Sequence, residues 1–242
     1  MRVVIAVAWV LSVVAALGSC TRSRPVVERH GTAVSSAAGI VLGGPPQPVS
    51  LRAVGRVAEC VATAIGPRKV LTARHCQVNT TDTFCLAAGP GETGSCFSIA
   101  EVAPSPTADL AVLTLIDALP EVRGAAWSAV EARGERARRI ERWGVRLDAA
   151  GVPRASSATA RVTRVTSAYL GAVTEAADAG CYGDSGAPLV ALSESGIPSI
   201  VGVLHAGDPE CRGYDEYVRT DIARSWIEAQ QRPQGHPAPG AP

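Results

Sequence analysis

The sequence predicts an all-β protein, a barrel or sandwich of short strands, closed by one C-terminal helix. Short β-rich runs separated by turn signals recur from Val49 to Leu115 and again from Arg139 to Thr220. Regular spacing of this kind is how sheets that fold back on themselves are written in sequence. Only Asp221 to Gln230 places apolar residues at helical spacing. A chain of 242 residues, 47% hydrophobic, can bury one or two proper cores. A net charge of +1, with arginines interspersed among acids and Lys69 the single lysine, provides no basic stripe for a phosphate backbone. No nucleic-acid partner is expected.

Taken in order, residues 1–19 open with Met1-Arg2 and continue as an apolar run from Val3 to Leu17, built like the core of a secretory signal peptide and short for a membrane span. The run ends in Leu17-Gly-Ser-Cys20, which resembles the lipobox of bacterial lipoproteins. That resemblance implies diacylation of Cys20 and an envelope lipoprotein whose only membrane contact is its lipid. Plain secretion, with Cys20 incidental, is the alternative. Residues 20–40 are rich in Ser, Ala, Thr, Arg and Gly without apolar periodicity, which reads as a flexible tether.

Strands are expected at Leu51 to Val57, Cys60 to Ile65, Lys69 to Ala73, Phe84 to Ala88, Phe97 to Val102 and Leu110 to Leu115. The stretch from Asp117 to Arg139 is the weakest reading. Glu131 to Arg138 has the composition of an exposed helix, but Gly124 and Gly134 argue against one. Strands resume at Arg139 to Trp143, Ala158 to Val165, Ala187 to Leu192, Ser199 to His205 and Tyr217 to Thr220. In the closing helix Ile222, Trp226 and Ile227 share one face, with Thr220 or Asp221 as the cap. Residues 232–242 form a Pro/Gly/Ala-rich tail expected to be disordered.

The chemistry centres on Ala179-Gly-Cys-Tyr-Gly-Asp-Ser-Gly-Ala-Pro188. Ser185 stands between glycines that permit an unusual turn, and a serine nucleophile needs both a base within reach and backbone donors for the oxyanion it creates. Four histidines could be that base. His30 and His236 lie in segments poorly suited to hold a side chain still, which leaves His75 and His205. His75 ends the β-type run Val70-Leu-Thr-Ala-Arg-His-Cys76, and Asp109 stands just before a strand in Thr107-Ala-Asp-Leu-Ala-Val-Leu-Thr114.

Histidine, aspartate and serine in that order, in those three motifs, resemble the trypsin/chymotrypsin-like serine protease family. Val41-Leu-Gly-Gly44, Pro48-Val-Ser-Leu51 and Trp143-Gly144 resemble its other markers, so the likeness covers residues 41–231. It implies two six-stranded antiparallel Greek-key barrels, a protein or peptide substrate, no cofactor, and a monomer. It implies the triad His75, Asp109 and Ser185, with the N–H groups of Gly183 and Ser185 as the oxyanion hole. Ala179 falls at the bottom of the substrate pocket, where trypsin-type enzymes carry aspartate, Gly207 at its mouth and Asp215 near its wall. His205 falls where the family usually has a serine beside the catalytic acid. Three readings stay open for it: contact with Asp109, a place in the cleft, or an ordinary half-buried histidine.

Seven cysteines are an odd number, and six permit 15 pairings. The resemblance implies Cys60 with Cys76 and Cys181 with Cys211, leaving Cys85 with Cys96 and freeing Cys20 for lipid. No Cys-x-x-Cys pair or His/Cys cluster marks a metal site, so none is expected. The family's mature enzymes set a new amino terminus against the acid preceding the nucleophile, here Asp184. A start at Val41 would supply it and would release the domain from Cys20. An arginine meeting Asp184 in an uncleaved protein is the other possibility. The alternative function is a catalytically silent binding lipoprotein on the same fold.

Overall fold

Antiparallel pairing closes the strands into two barrels. In the computed structural model, residues 40–41, 51–88, 94–119, 131–132, 139–175, 179–192 and 198–232 are described. All of them fall within one compact unit, Ser36–Pro242. The first barrel runs β2 (Val54–Val57), β3 (Cys60–Ala64), β4 (Lys69–Thr72), β7 (Ala111–Leu115), β6 (Cys96–Pro104), β5 (Thr83–Leu86) and back to β2. The second runs β10 (Pro153–Val165), β11 (Tyr169–Thr174), β14 (Tyr214–Arg219), β13 (Pro198–Gly207), β12 (Pro188–Leu192), β9 (Arg139–Leu147) and back to β10. Closure removes the unpaired sheet edges that would otherwise invite aggregation. The fold is therefore two six-stranded antiparallel barrels followed by α1 (Arg224–Gln231), as the family resemblance implies.

One hydrophobic cluster fills both barrels, with Val54, Val61, Phe84 and Leu113 in the first and Leu189, Ile200 and Tyr217 in the second. Strand β2 packs against β9, joining the two. At its centre β9 is buried on both faces, including Glu141 and Arg142. Trp143 Nε1 donates to Glu141 Oε2 at 2.7 Å, giving that carboxylate a partner inside.

Several boundaries differ from expectation. Leu51–Ala53 is a turn of 3₁₀ helix, and the strand begins at Val54. Strand β11 was not anticipated, since its central Gly171 weakens the strand signal. A Cβ there would stand 2.7 Å from the Tyr214 hydroxyl, so packing excludes a side chain. Ile222 is 43% exposed and lies in a 3₁₀ turn ahead of the helix, while Ile227 is buried. No side chain caps α1. Thr220 Oγ1 donates instead to the Ile200 carbonyl, and Asp221 takes Arg219. Of the weak stretch, Glu131–Ala132 is a strand, β8, paired with β1 (Ile40–Val41). The signal segment, Cys20, most of the tether and nearly all of the tail lie outside the described residues.

Candidate active site

Strand register brings His75 to Asp109. Thr72 at the end of β4 pairs with Ala111 at the start of β7, so the residues just past one and just before the other meet. His75 sits in a 3₁₀ turn, Arg74–Cys76, which the Cys60–Cys76 disulfide ties back to β3. Its backbone N–H donates to Asp109 Oδ1 at 2.8 Å, and its Nδ1 lies 2.6 Å from Oδ2. A carboxylate oxygen only accepts, so Nδ1 carries the proton and the neutral ring keeps its lone pair on Nε2.

His205 reaches the same oxygen from the other barrel, its Nδ1 also 2.6 Å from Asp109 Oδ2. The register of β13 on β14 shifts between Leu204 and Ala206, so His205 is the bulged residue and its side chain is re-aimed. Its ring stacks on Tyr169 at 5.3 Å and meets His75 edge-on at 5.8 Å. His205 makes the contact with Asp109, and it also lines the open cavity that His75 and Asp109 face. Burial raises the Asp109 carboxyl, but hydrogen bonds from His205 and then His75 outweigh it and hold it below the usual aspartate value.

The Ser185 loop is clamped between the barrels. Val61 N–H donates to the Ser185 carbonyl at 2.8 Å, and Gly186 N–H to the Leu204 carbonyl at 2.9 Å. Gly183 and Gly186 have φ of 87° and 84°, and a Cβ on Gly186 would collide with the Val61 carbonyl and Thr72 Oγ1. Only glycine fits there. This close approach sets Gly186, the residue after Ser185, against Thr72 and Ala73, at the end of β4 that leads into His75. No hydrogen bond joins Ser185 to His75 in the structure; contacts of this kind often tighten only with substrate bound.

Arg142 organises what lies beneath. Its Nη2 is 2.6 Å from Asp184 Oδ2, and its Nε is 3.8 Å from Asp215 Oδ2, with only 3% of the side chain exposed. Asp184 also accepts the Cys181 N–H at 2.9 Å. The sequence suggested an arginine for this acid without saying which. The adjacent charges Glu141-Arg142, next to the apolar Trp143-Gly-Val145 of the same strand, were the available sign.

A cavity of about 300 Å³ lies beside Ser185, walled by Gly180 to Gly183 on one side and Leu204, Ala206 and Gly207 on the other. Gly207 thus lines it, whereas Ala179 is buried and does not. Asp215 is 1% exposed and stands behind Gly180 and Gly207. It accepts the Gly180 N–H at 3.2 Å and the Tyr217 hydroxyl at 3.3 Å, while its Oδ1 has no hydrogen-bond partner. Desolvation pushes its carboxyl above the usual value, and Arg142, the Gly180 N–H and Tyr217 only partly counter that. The three disulfides are Cys60–Cys76, Cys85–Cys96 and Cys181–Cys211, the expected set. No helix among the described residues is long and apolar enough to cross a membrane.

The trypsin family model matches residues 43–227. A search of the curated proteins finds no match.

Arg142→Met should destabilise the domain by about 3–5 kcal/mol, because it strands two buried carboxylates. A chemical-denaturation midpoint near the parent's would contradict this account. Asp215 supplies a pH signature. Its folded pKa lies above its unfolded value, so its contribution is fully present below the ordinary aspartate range and declines as pH rises through the folded value. The stability of the parent relative to Asp215→Asn should therefore fall with rising pH across that window, as read from melts at stepped pH.

Proposed function

The chain belongs to the trypsin family, and on that premise we propose that it is a serine endopeptidase acting through His75, Asp109 and Ser185. The observation that carries the reading is the two-point hydrogen bond from His75 to Asp109, which leaves Nε2 basic and facing away from the acid. His75 takes the Ser185 proton as Oγ attacks the peptide carbonyl, then returns it to the leaving amine, and water resolves the acyl-enzyme by the same path. Asp109 fixes the tautomer and stabilises the imidazolium. The N–H groups of Gly183 and Ser185 receive the oxyanion, and the positive φ at Gly183 supports that aim.

The Arg142–Asp184 pair favours a site assembled without a new amino terminus at Val41. On this reading residues 1–19 direct export and Cys20 carries the lipid. Residues 20–40 tether the protease domain of 41–231, and 232–242 trail from it. The enzyme then works while held at the envelope. For specificity, Asp215 sets a negative potential behind the Gly180 and Gly207 wall that favours a basic side chain in the cavity beside Ser185.

A fluorophosphonate probe should label the parent and fail to label Ser185→Ala; an unlabelled parent would sink the enzyme reading. His75→Ala and Ser185→Ala should each lower kcat by about 10⁴ or more, with the double variant little worse than either, since the residues act as one unit. In a peptide-library profile Asp215→Asn should selectively lose cleavage after Arg and Lys. Equal losses across all substrates would confine Asp215 to holding Arg142.

A further inference from the structure

Two imidazoles facing one carboxylate oxygen exceed what proton transfer requires. His75 Nδ1 and His205 Nδ1 each lie 2.6 Å from Asp109 Oδ2. The ligand atoms offered by the three side chains all fall within 4.8 Å of one another. The residues come from distant parts of the chain, 34 and 96 positions apart, so no short spacing marks them in sequence. The His75 and His205 side chains are 39% and 33% exposed, and both line an open cavity of about 540 Å³ with Asp109 and Tyr169. A hydrated ion can reach them without any unfolding. Arg74 lines the same cavity, but its Nη1 donates to the Ser105 carbonyl at 3.0 Å, which turns its charge aside. The described cysteines are all in disulfides and offer no competing thiolate.

We propose that His75, Asp109 and His205 bind a divalent transition-metal ion, Zn²⁺ being the best match, and that occupancy switches the site off. Two imidazoles and one carboxylate suit this borderline ion and leave its fourth position for water. Bonds of about 2.0–2.1 Å in tetrahedral geometry hold ligand atoms roughly 3.3 Å apart. The two exposed rings must therefore back away from the 2.6 Å contacts by less than an ångström. Coordination uses the Nδ1 lone pair of each neutral ring, so the proton leaves Nδ1 and Nε2 takes one from water. No proton is gained or lost overall. His75 Nε2 then carries a hydrogen and has no lone pair with which to accept the Ser185 proton. Inhibition rests on the peptidase reading; binding itself does not.

The test separates the two. Full-length Ser185→Ala protein is titrated with Co²⁺, read by its ligand-field absorption, and with Zn²⁺ by calorimetry. One equivalent should bind, and His205→Ser, His205→Gln and His75→Ala placed in that background should each weaken binding by about 100-fold or more. Thermal melts confirm that each variant is folded, and a site carried by His205 requires that at least one folded His205 variant lose the ion. In the active protein, Zn²⁺ should inhibit reversibly to chelator. His205→Ser, scored against its own metal-free rate, should resist the same concentration. Absence of stoichiometric binding overturns the proposal, as does binding or inhibition that persists in the folded His205 variants. A Co²⁺ spectrum that depends on His205, in a protein without peptidase activity, would leave the metal site standing and remove the peptidase reading alone.

Discussion

Three charges buried together hold the second barrel and the Ser185 loop in register. Arg142 on β9 meets Asp184 in the loop and Asp215 on β14. Any one of them alone in that interior would face a desolvation cost of several kcal/mol, so each is tolerable only because the others are in place. The loop cannot relax away from β9 without abandoning a carboxylate. Ser185, one residue after Asp184, inherits that rigidity. The imbalance of two acids to one arginine remains visible in Asp215, whose Oδ1 has no hydrogen-bond partner and whose carboxyl resists ionisation.

The same logic, with lower burial, operates at Asp109. Its carboxylate receives three hydrogen bonds, two from His75 and one from His205, and these come from both barrels. The acid therefore does more than orient one imidazole, because it fixes the two barrels against each other at the site. The bulge at His205 is the backbone device that makes this possible, since an unbroken alternation along β13 would not re-aim its ring in this way. Two nitrogens and one oxygen thus converge on one point from the two barrels.

The sequence by itself determined the all-β class, the positions of most strands, and the three motifs in which His75, Asp109 and Ser185 stand. These are local properties: β-rich runs and turn residues report on neighbours a few positions away, and the family resemblance of the motifs supplied the barrel count and the disulfide pairs. The tertiary structure decided the rest. Strand β11 was hidden because the glycine that breaks its pattern answers to Tyr214, far along the chain. Ile222 was misread as part of a helical face because its turn is 3₁₀ and the helix begins only at Arg224. Arg142 as the partner of Asp184, and His205 as a second donor to Asp109, depend on which strands neighbour one another in a closed barrel and where one of them bulges. That information lies in long-range register, which no local pattern of residues encodes.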